Sequence, residues 1–228
     1  MRLEKYLISC GIASGKVIKK IIKNSEIIVN GLIENDPGRS IDLEIDIIKY
    51  KEKELVKKEL KYYVLNKPAG YITAMSNPVN NRPIISDVLS KDIDWSGISP
   101  VGRLDKDTEG VLIFTNDGVL NHELTYPEKN IDKEYYVELS KEISDEDLAK
   151  LETGVEIDNY ISKPGKVKKI TDKVIHLTII EGRYHQVKKM LRAIGNRVVF
   201  LRRIRFAKIE LGDLKLGEIR EVHRNDIV

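Results

Sequence analysis

Gly102-Arg103-Leu104-Asp105-Lys106-Asp107-Thr108-Glu109-Gly110 lies between two apolar runs, Ile98-Ser99-Pro100-Val101 and Val111-Leu112-Ile113-Phe114-Thr115. Turn-forming glycines and a run of charge, bracketed by β-formers, predict a loop that feeds a strand. Such a loop holds a side chain rigidly and leaves it within reach of a ligand. Asp105, two residues after Arg103, is therefore the first candidate for a nucleophile or base. Taken alone, the stretch is equally consistent with a tight surface loop closed by an ion pair from Arg103 to Asp105 or Asp107.

Around this loop the chain alternates strand and helix signals. Tyr62-Tyr63-Val64-Leu65-Asn66 reads as a strand ended by the turn Lys67-Pro68-Ala69-Gly70, which puts Lys67 at the strand's mouth. Further strands are expected at 111–115, 133–139, 155–158, 174–180 and 207–211, and helices near 84–90, 117–124, 145–152 and 184–194. Ser144 is the expected N-cap of the helix near 145, with Asp147 at its third position. The pattern predicts an α+β domain over 59–228.

The chain has 228 residues, 41% apolar and 33% charged, enough for a medium domain plus a small one. A lone Cys10 excludes an internal disulfide, and no secretory signal or membrane-spanning apolar run is present. A reducing cytoplasm and no membrane are the expectation. The net charge is only +3, but its distribution is uneven.

Arg2, Lys5, Lys16, Lys19, Lys20 and Lys23 face a single acid, Glu4, within residues 1–24. On a helix over 15–23 the four lysines share one arc, and Val17, Ile18, Ile21 and Ile22 take the other. Ser14 is a candidate N-cap. Leu3, Tyr6, Leu7 and Cys10 mark an earlier helix stopped by Gly11, and Asn30-Gly31 between β-formers predicts a hairpin over 27–33. Residues 49–61 read as a charged linker, with a boundary near 58. A second basic region runs from Arg183 to Lys208, nine cations without an acid. Within it Val187, Met190, Leu191 and Ile194 form an apolar helical stripe ended by Gly195, leaving Lys188, Lys189 and Arg192 on another face. Unbalanced cations of this density favour a nucleic-acid partner.

The N-terminal stretch RLEKYLISCGIASGKVIKKIIKNSEIIVNG resembles the S4 RNA-binding module, which places a helix-helix-hairpin domain over 1–58. Downstream, Lys67-Pro68-Ala69-Gly70, Gly102 to Gly110, Lys133-Glu134-Tyr135-Tyr136-Val137 and Glu181-Gly182-Arg183-Tyr184-His185-Gln186-Val187-Lys188-Lys189-Met190 resemble the successive motifs of RNA pseudouridine synthases. The whole chain is similar to the RsuA branch, which isomerises a uridine in small-subunit (16S) ribosomal RNA. The resemblance implies a mixed, mainly antiparallel sheet with flanking helices over 59–228. It also implies a reaction without cofactor or metal, and ribosomal RNA or a pre-ribosomal small-subunit particle as partner.

In that reaction a C–N glycosidic bond breaks, the base turns and a C–C bond forms. The resemblance gives Asp105 the part of nucleophile or base, Tyr135 that of stacking on the uracil, and Lys188 that of the balancing cation, with Arg183 the alternative. Arg103 would occupy the space left by a flipped nucleotide or hold its phosphate, and Arg183 and Lys67 would also contact substrate. Arg2, Lys16, Lys19, Lys20, Lys23, Lys189 and Arg192 are the expected RNA contacts. Tyr136 alternates to the opposite face of its strand. His122, His176, His185 and His223 lack metal-ligand spacing with Cys10, and Trp95 reads as a packing residue. Two alternatives remain at this point: a large-subunit (23S) synthase, and a non-catalytic RNA-binding or ribosome-assembly protein. A monomer is expected.

Overall fold

The structure is a computed structural model that describes residues 1–10, 12–13, 15–56, 59–76 and 82–228. Gly11, Ser14 and the boundary expected near 58 lie outside the described residues, as does the side chain of Lys16. The chain forms two compact units. One is Met1–Lys61 with Asp94–Ser99 and Asn116–Gly118; the other is Tyr62–Ile93, Pro100–Thr115 and Val119–Val228.

In the first unit, helices Leu3–Ser9 and Gly15–Lys23 precede strands Ile27–Val29 and Leu32–Ile33. Leu3, Tyr6, Leu7, Cys10, Ile18, Ile21 and Ile22 meet Ile27, Val29, Ile41 and Ile48 in one apolar core. The helical spacing of these residues makes that face inevitable once both helices form. Val17 departs from the expected arc and is exposed. The segment expected to begin a linker is instead a hairpin. Ile48–Tyr50 pairs with Ile27–Val29, and Lys53–Glu54 turns back on it, completing a four-stranded antiparallel sheet. Lys51 and Glu52 accept left-handed backbone at the turn, a shape that charge density alone does not announce.

The second unit is built on a mixed sheet. Its main path runs Lys166–Thr171, Val174–Ile179, Lys133–Leu139, Val198–Phe206, Glu109–Thr115, Tyr62–Lys67 and Ile219–Glu221. Every neighbouring pair on it is antiparallel except Val198–Phe206 with Glu109–Thr115. Tyr62–Lys67 is buried along its whole length, and Val111 to Thr115 likewise, as central strands covered on both faces must be. Lys133–Leu139 alternates: Tyr135, Val137 and Leu139 are buried, whereas Tyr136 is half-buried on the other face. Helix Asp145–Thr153 starts where expected, with the Asp147 N–H donating to Ser144 Oγ at 3.1 Å.

Three expectations change. The helix near 84–90 is a single 3-10 turn, Ile85–Asp87, because Ile84 is held extended against Ile72 and its N–H is taken by the Asp87 carboxylate. The long strand Val198–Phe206 crosses the stretch read only as a basic patch. The helix expected over 184–194 begins later, at Gln186, and ends at Ala193.

Candidate active site

The loop carrying Asp105 is fastened from below by Lys67. That side chain is fully buried, and its Nζ donates to the carbonyls of Pro68 (3.1 Å), Asp105 (3.1 Å), Thr108 (3.0 Å) and, at longer range, Lys106 (3.4 Å). Burial pushes the Lys67 ammonium down to about 8, although Asp107, Asp105 and Glu109 favour its charge. Lys67 therefore does not contact substrate as expected; its donors are spent on backbone, and it sets the loop's shape. Thr73 adds a second fastening: Oγ1 donates to Leu104 O at 2.8 Å and accepts the Leu104 N–H at 3.1 Å. The loop closes on itself through Thr108 N to Asp105 O.

Gly110 ends the loop where the parallel pair meets. Its φ is +106°, and a Cβ there would stand 2.1 Å from Arg203 O, so only glycine permits this close approach of strands. Across that junction Arg202 donates from Nε (3.1 Å) and Nη2 (2.6 Å) to one oxygen of Glu109.

On the opposite side, Glu181 and Gln186 build the start of helix Gln186–Ala193. Glu181 Oε2 accepts from Gln186 Nε2 (2.8 Å) and Lys163 N (2.9 Å), and Gln186 Oε1 accepts the Arg183 N–H at 3.0 Å. His185 enters the helix in left-handed backbone, φ +54°, with its ring stacked on Tyr184. This entry aims His185 and Lys188 at the Asp105 loop. Lys188 Nζ lies 3.3 Å from Asp105 Oδ2 and 2.5 Å from Asp107 Oδ1, and His185 Nε2 is 3.6 Å from Asp105 Oδ1. Burial works against ionisation of Asp107, but the hydrogen bond and charge of Lys188 prevail and hold its carboxyl below the ordinary range.

Asp105, Tyr135, Lys188, Arg103 and Arg183 all line one cavity of about 320 Å³, a size suited to a small organic group. Arg103 is exposed at its edge. Arg183, the alternative partner for Asp105, is engaged elsewhere: its guanidinium lies 3.8 Å from the Tyr160 ring centroid and its Nε 3.8 Å from Glu181. Lys188 is the cation at Asp105.

The expected RNA contacts divide. Arg2, Lys19, Lys20 and Lys23 are exposed in the first unit, with Lys19 at 3.8 Å from Glu4. In the second, Arg192 is exposed, whereas Lys189 is paired with Asp158. The charge imbalance read in the basic run 183–208 is largely offset by acids from outside it. Arg202 meets Glu109, Arg205 meets Glu134 and Asp132, and Lys188 meets Asp105 and Asp107. Sequence reasoning missed His185, Lys133 and Arg203 as cavity residues. The periodicity of strand 133–139 offered a signal for Lys133, two residues before Tyr135 and on its face.

The cavity sets the Asp105 carboxylate beside the Lys188 ammonium, with the Tyr135 ring on its wall, an arrangement that can present a nucleophile or base to a ring-shaped group. The family model described as RNA pseudouridylate synthase matches residues 61–193. Over the full chain, the protein is 38% identical to the uncharacterized RNA pseudouridine synthase YtzG of Bacillus subtilis, covering 97% of it. It is 33% identical over its full length to ribosomal small subunit pseudouridine synthase A of Escherichia coli K12, covering 98%. It is also 34% identical, over 99% of this chain and 93% of the relative, to ribosomal large subunit pseudouridine synthase B of Bacillus subtilis. A crystal structure of a pseudouridylate synthase superposes with a TM-score of 0.71 at 31% identity, covering 100% of this chain and 98% of that one. The chain belongs to the RNA pseudouridine synthase family.

Proposed function

We propose that this synthase isomerises one uridine of small-subunit ribosomal RNA, free or in a pre-ribosomal particle, after the nucleotide is turned out of its stack into the cavity beside Asp105. The observation that carries the site assignment is the convergence of Asp105, Lys188 and Tyr135, from three distant segments, on that cavity. Asp105 acts as nucleophile or base, and Lys188, 3.3 Å from its Oδ2, is the cation that balances its charge. Tyr135 stacks on the uracil. Arg103, exposed at the cavity, takes the flipped nucleotide's phosphate or its vacated space. The reaction is balanced internally: the C1′–N1 bond breaks, C1′–C5 forms, and the proton lost from C5 is matched by one gained at N1.

We assign RNA docking to the first unit, as an S4-like module over 1–58, through Arg2, Lys16, Lys19, Lys20 and Lys23. The catalytic domain is 59–228, the protein a cytoplasmic monomer. Its whole-length likeness to the Escherichia coli small-subunit enzyme and its Glu181–Val187 motif support the 16S target. The similar likeness to the Bacillus subtilis large-subunit enzyme favours a second reading, a 23S target. Mapping pseudouridines in both ribosomal RNAs from cells lacking the protein decides between them: loss of a 16S site is expected, and loss of only a 23S site refutes the first reading. Asp105→Asn is expected to abolish isomerisation with RNA binding retained; activity within threefold of wild type would remove Asp105 from the mechanism.

A further inference from the structure

Lys133 lies two residues before Tyr135 on the same strand face and lines the same cavity. In the neighbouring strand Arg203 is the register partner of Tyr135, and Phe206 that of Lys133. The two cations share one aromatic ring: Lys133 Nζ is 5.3 Å and Arg203 Cζ 4.6 Å from the Phe206 centroid. Arg203 is only 2% exposed, its Nε donates to Val111 O at 2.8 Å, and one guanidinium nitrogen has no hydrogen-bond partner among the described residues. The Lys133 ammonium donates to Ile131 O at 2.9 Å. Among the described residues neither cation has a carboxylate in ion-pair contact. A buried and a half-buried positive charge held together without a counterion destabilise a fold, which makes them candidates for a role in the chemistry.

The reaction supplies a transient anion. When C1′–N1 breaks with both electrons leaving on the base, the detached uracil carries a negative charge until C5 bonds to C1′. We propose that Lys133 is a further catalytic residue, donating to the detached, anionic uracil. The proposal rests on the isomerase reaction assigned to this cavity. It explains why a lysine stem runs under the Glu181–Arg183 loop, where a Cβ on Gly182 would lie 3.8 Å from Lys133 Cε. A preorganised donor facing charge that develops only during reaction accelerates the step without tightening substrate binding.

Burial first, and then the charge of Arg203, push the Lys133 ammonium down to about 8, against the pull of Asp132. Asp132 is itself engaged by Arg205. Tyr135 flanks Lys133 on its own strand, Arg203 and Phe206 face it from the next, Glu181 and Arg183 belong to the loop over its stem, and Tyr126, Arg103, Asp105, His185 and Lys188 stand on other walls of the cavity. The required form is the protonated one, so activity is expected to be present below pH about 8 and to fall above it.

The test uses single-turnover reactions with excess full-length protein on transcripts of both ribosomal RNAs carrying uridine tritiated at C5. Tritium release reports loss of the C5 proton, and filter binding gives Kd. Lys133→Met is expected to slow release about 100-fold with Kd unchanged. Lys133→Arg, which keeps its charge at all accessible pH, is expected to restore most of the rate and to lack the alkaline fall. An active wild type with Lys133→Met within threefold of it overturns the proposal. So does an alkaline fall that persists in Lys133→Arg, which would assign it to Lys67. If Lys133→Met does not fold by thermal melt, the Lys133→Arg profile decides alone. A wild type silent on both transcripts, and on pre-ribosomal particles labelled in the same way, would instead refute the substrate reading.

Discussion

Replacing Lys67 by methionine tests whether the Asp105 loop is shaped by a buried cation. The substitution keeps the volume and removes a donor that serves carbonyls at 3.0–3.1 Å on three residues of two segments. Orphaned buried carbonyls cost about 1–3 kcal/mol each. Against this stands the cost of burying the charge: the drop from 10.5 to about 8, at about 1.4 kcal/mol per unit, amounts to about 3 kcal/mol. The carbonyls outweigh it, and at pH 7 the variant is expected to be less stable by about 2–4 kcal/mol. The pH dependence is the sharper signature. Below pH about 8 the folded and unfolded lysine are both protonated and the burial cost is constant. Between about 8 and 10.5 the unfolded chain binds more protons than the folded one, so wild-type stability gains as pH rises. The stability difference between wild type and Lys67→Met, from urea denaturation of the full chain, is therefore expected to widen by about 3 kcal/mol from pH 7 to 10.5. Taking the difference cancels Lys133 and the tyrosines, which both proteins share. A difference that stays flat across that range would refute the buried-cation account of the loop.

Gly110→Ala is expected to lower stability by about 3–5 kcal/mol, since the new Cβ meets Arg203 O at 2.1 Å in left-handed backbone; a melting temperature within 2 °C of wild type would contradict this. Lys188→Met should abolish most single-turnover activity and return the Asp107 carboxyl toward its ordinary value, whereas Lys188→Arg should retain activity within about tenfold; carbon-detected titration of the aspartates and tritium release check the two arms. Lys20→Glu with Lys23→Glu should weaken RNA binding and reduce the salt slope by about two, leaving the rate at saturating protein unchanged, as read by filter binding over a salt series.

What the sequence disclosed followed from periodicity. The apolar spacings at Leu3–Cys10 and Ile18–Ile22, the alternation of 133–139 and the Ser144 cap each translate one local rule into one element, and the structure contains them. The strand Val198–Phe206 stayed hidden because its alternation is written in arginines. Arg203 and Arg205 would ordinarily mark a solvated surface, yet Arg203 is buried against Phe206 and Arg205 is neutralised by Glu134 and Asp132. The groups they hydrogen-bond, Val111 O for Arg203 and Glu134 and Asp132 for Arg205, lie some 70 residues or more away in sequence, beyond any window in which charge can be counted. Separations of 38 and 41 residues to Asp105 and Thr108 likewise hid the use of Lys67. A lysine at a strand's mouth looks available to a ligand until the 105–108 loop folds over it and takes its donors.

The basic segment 183–208 thus serves two ends that its composition merges. Its helix contributes Lys188 to the carboxylate, and its strand contributes Arg203 to the layer behind Tyr135. Gly110 is where these contributions are brought into one frame, because the parallel contact Arg203↔Gly110 ties that strand to the end of the Asp105 loop. A shift of the strand at that contact would move the arginine and the loop together. Their relative placement is consequently less sensitive to such a shift than the position of either one, and catalysis that depends on near-ångström alignment of a carboxylate with a base benefits from a shared anchor of this kind. Substitution of the exposed Arg103 or Arg183 should accordingly cost far less fold stability than substitution of the buried Gly110.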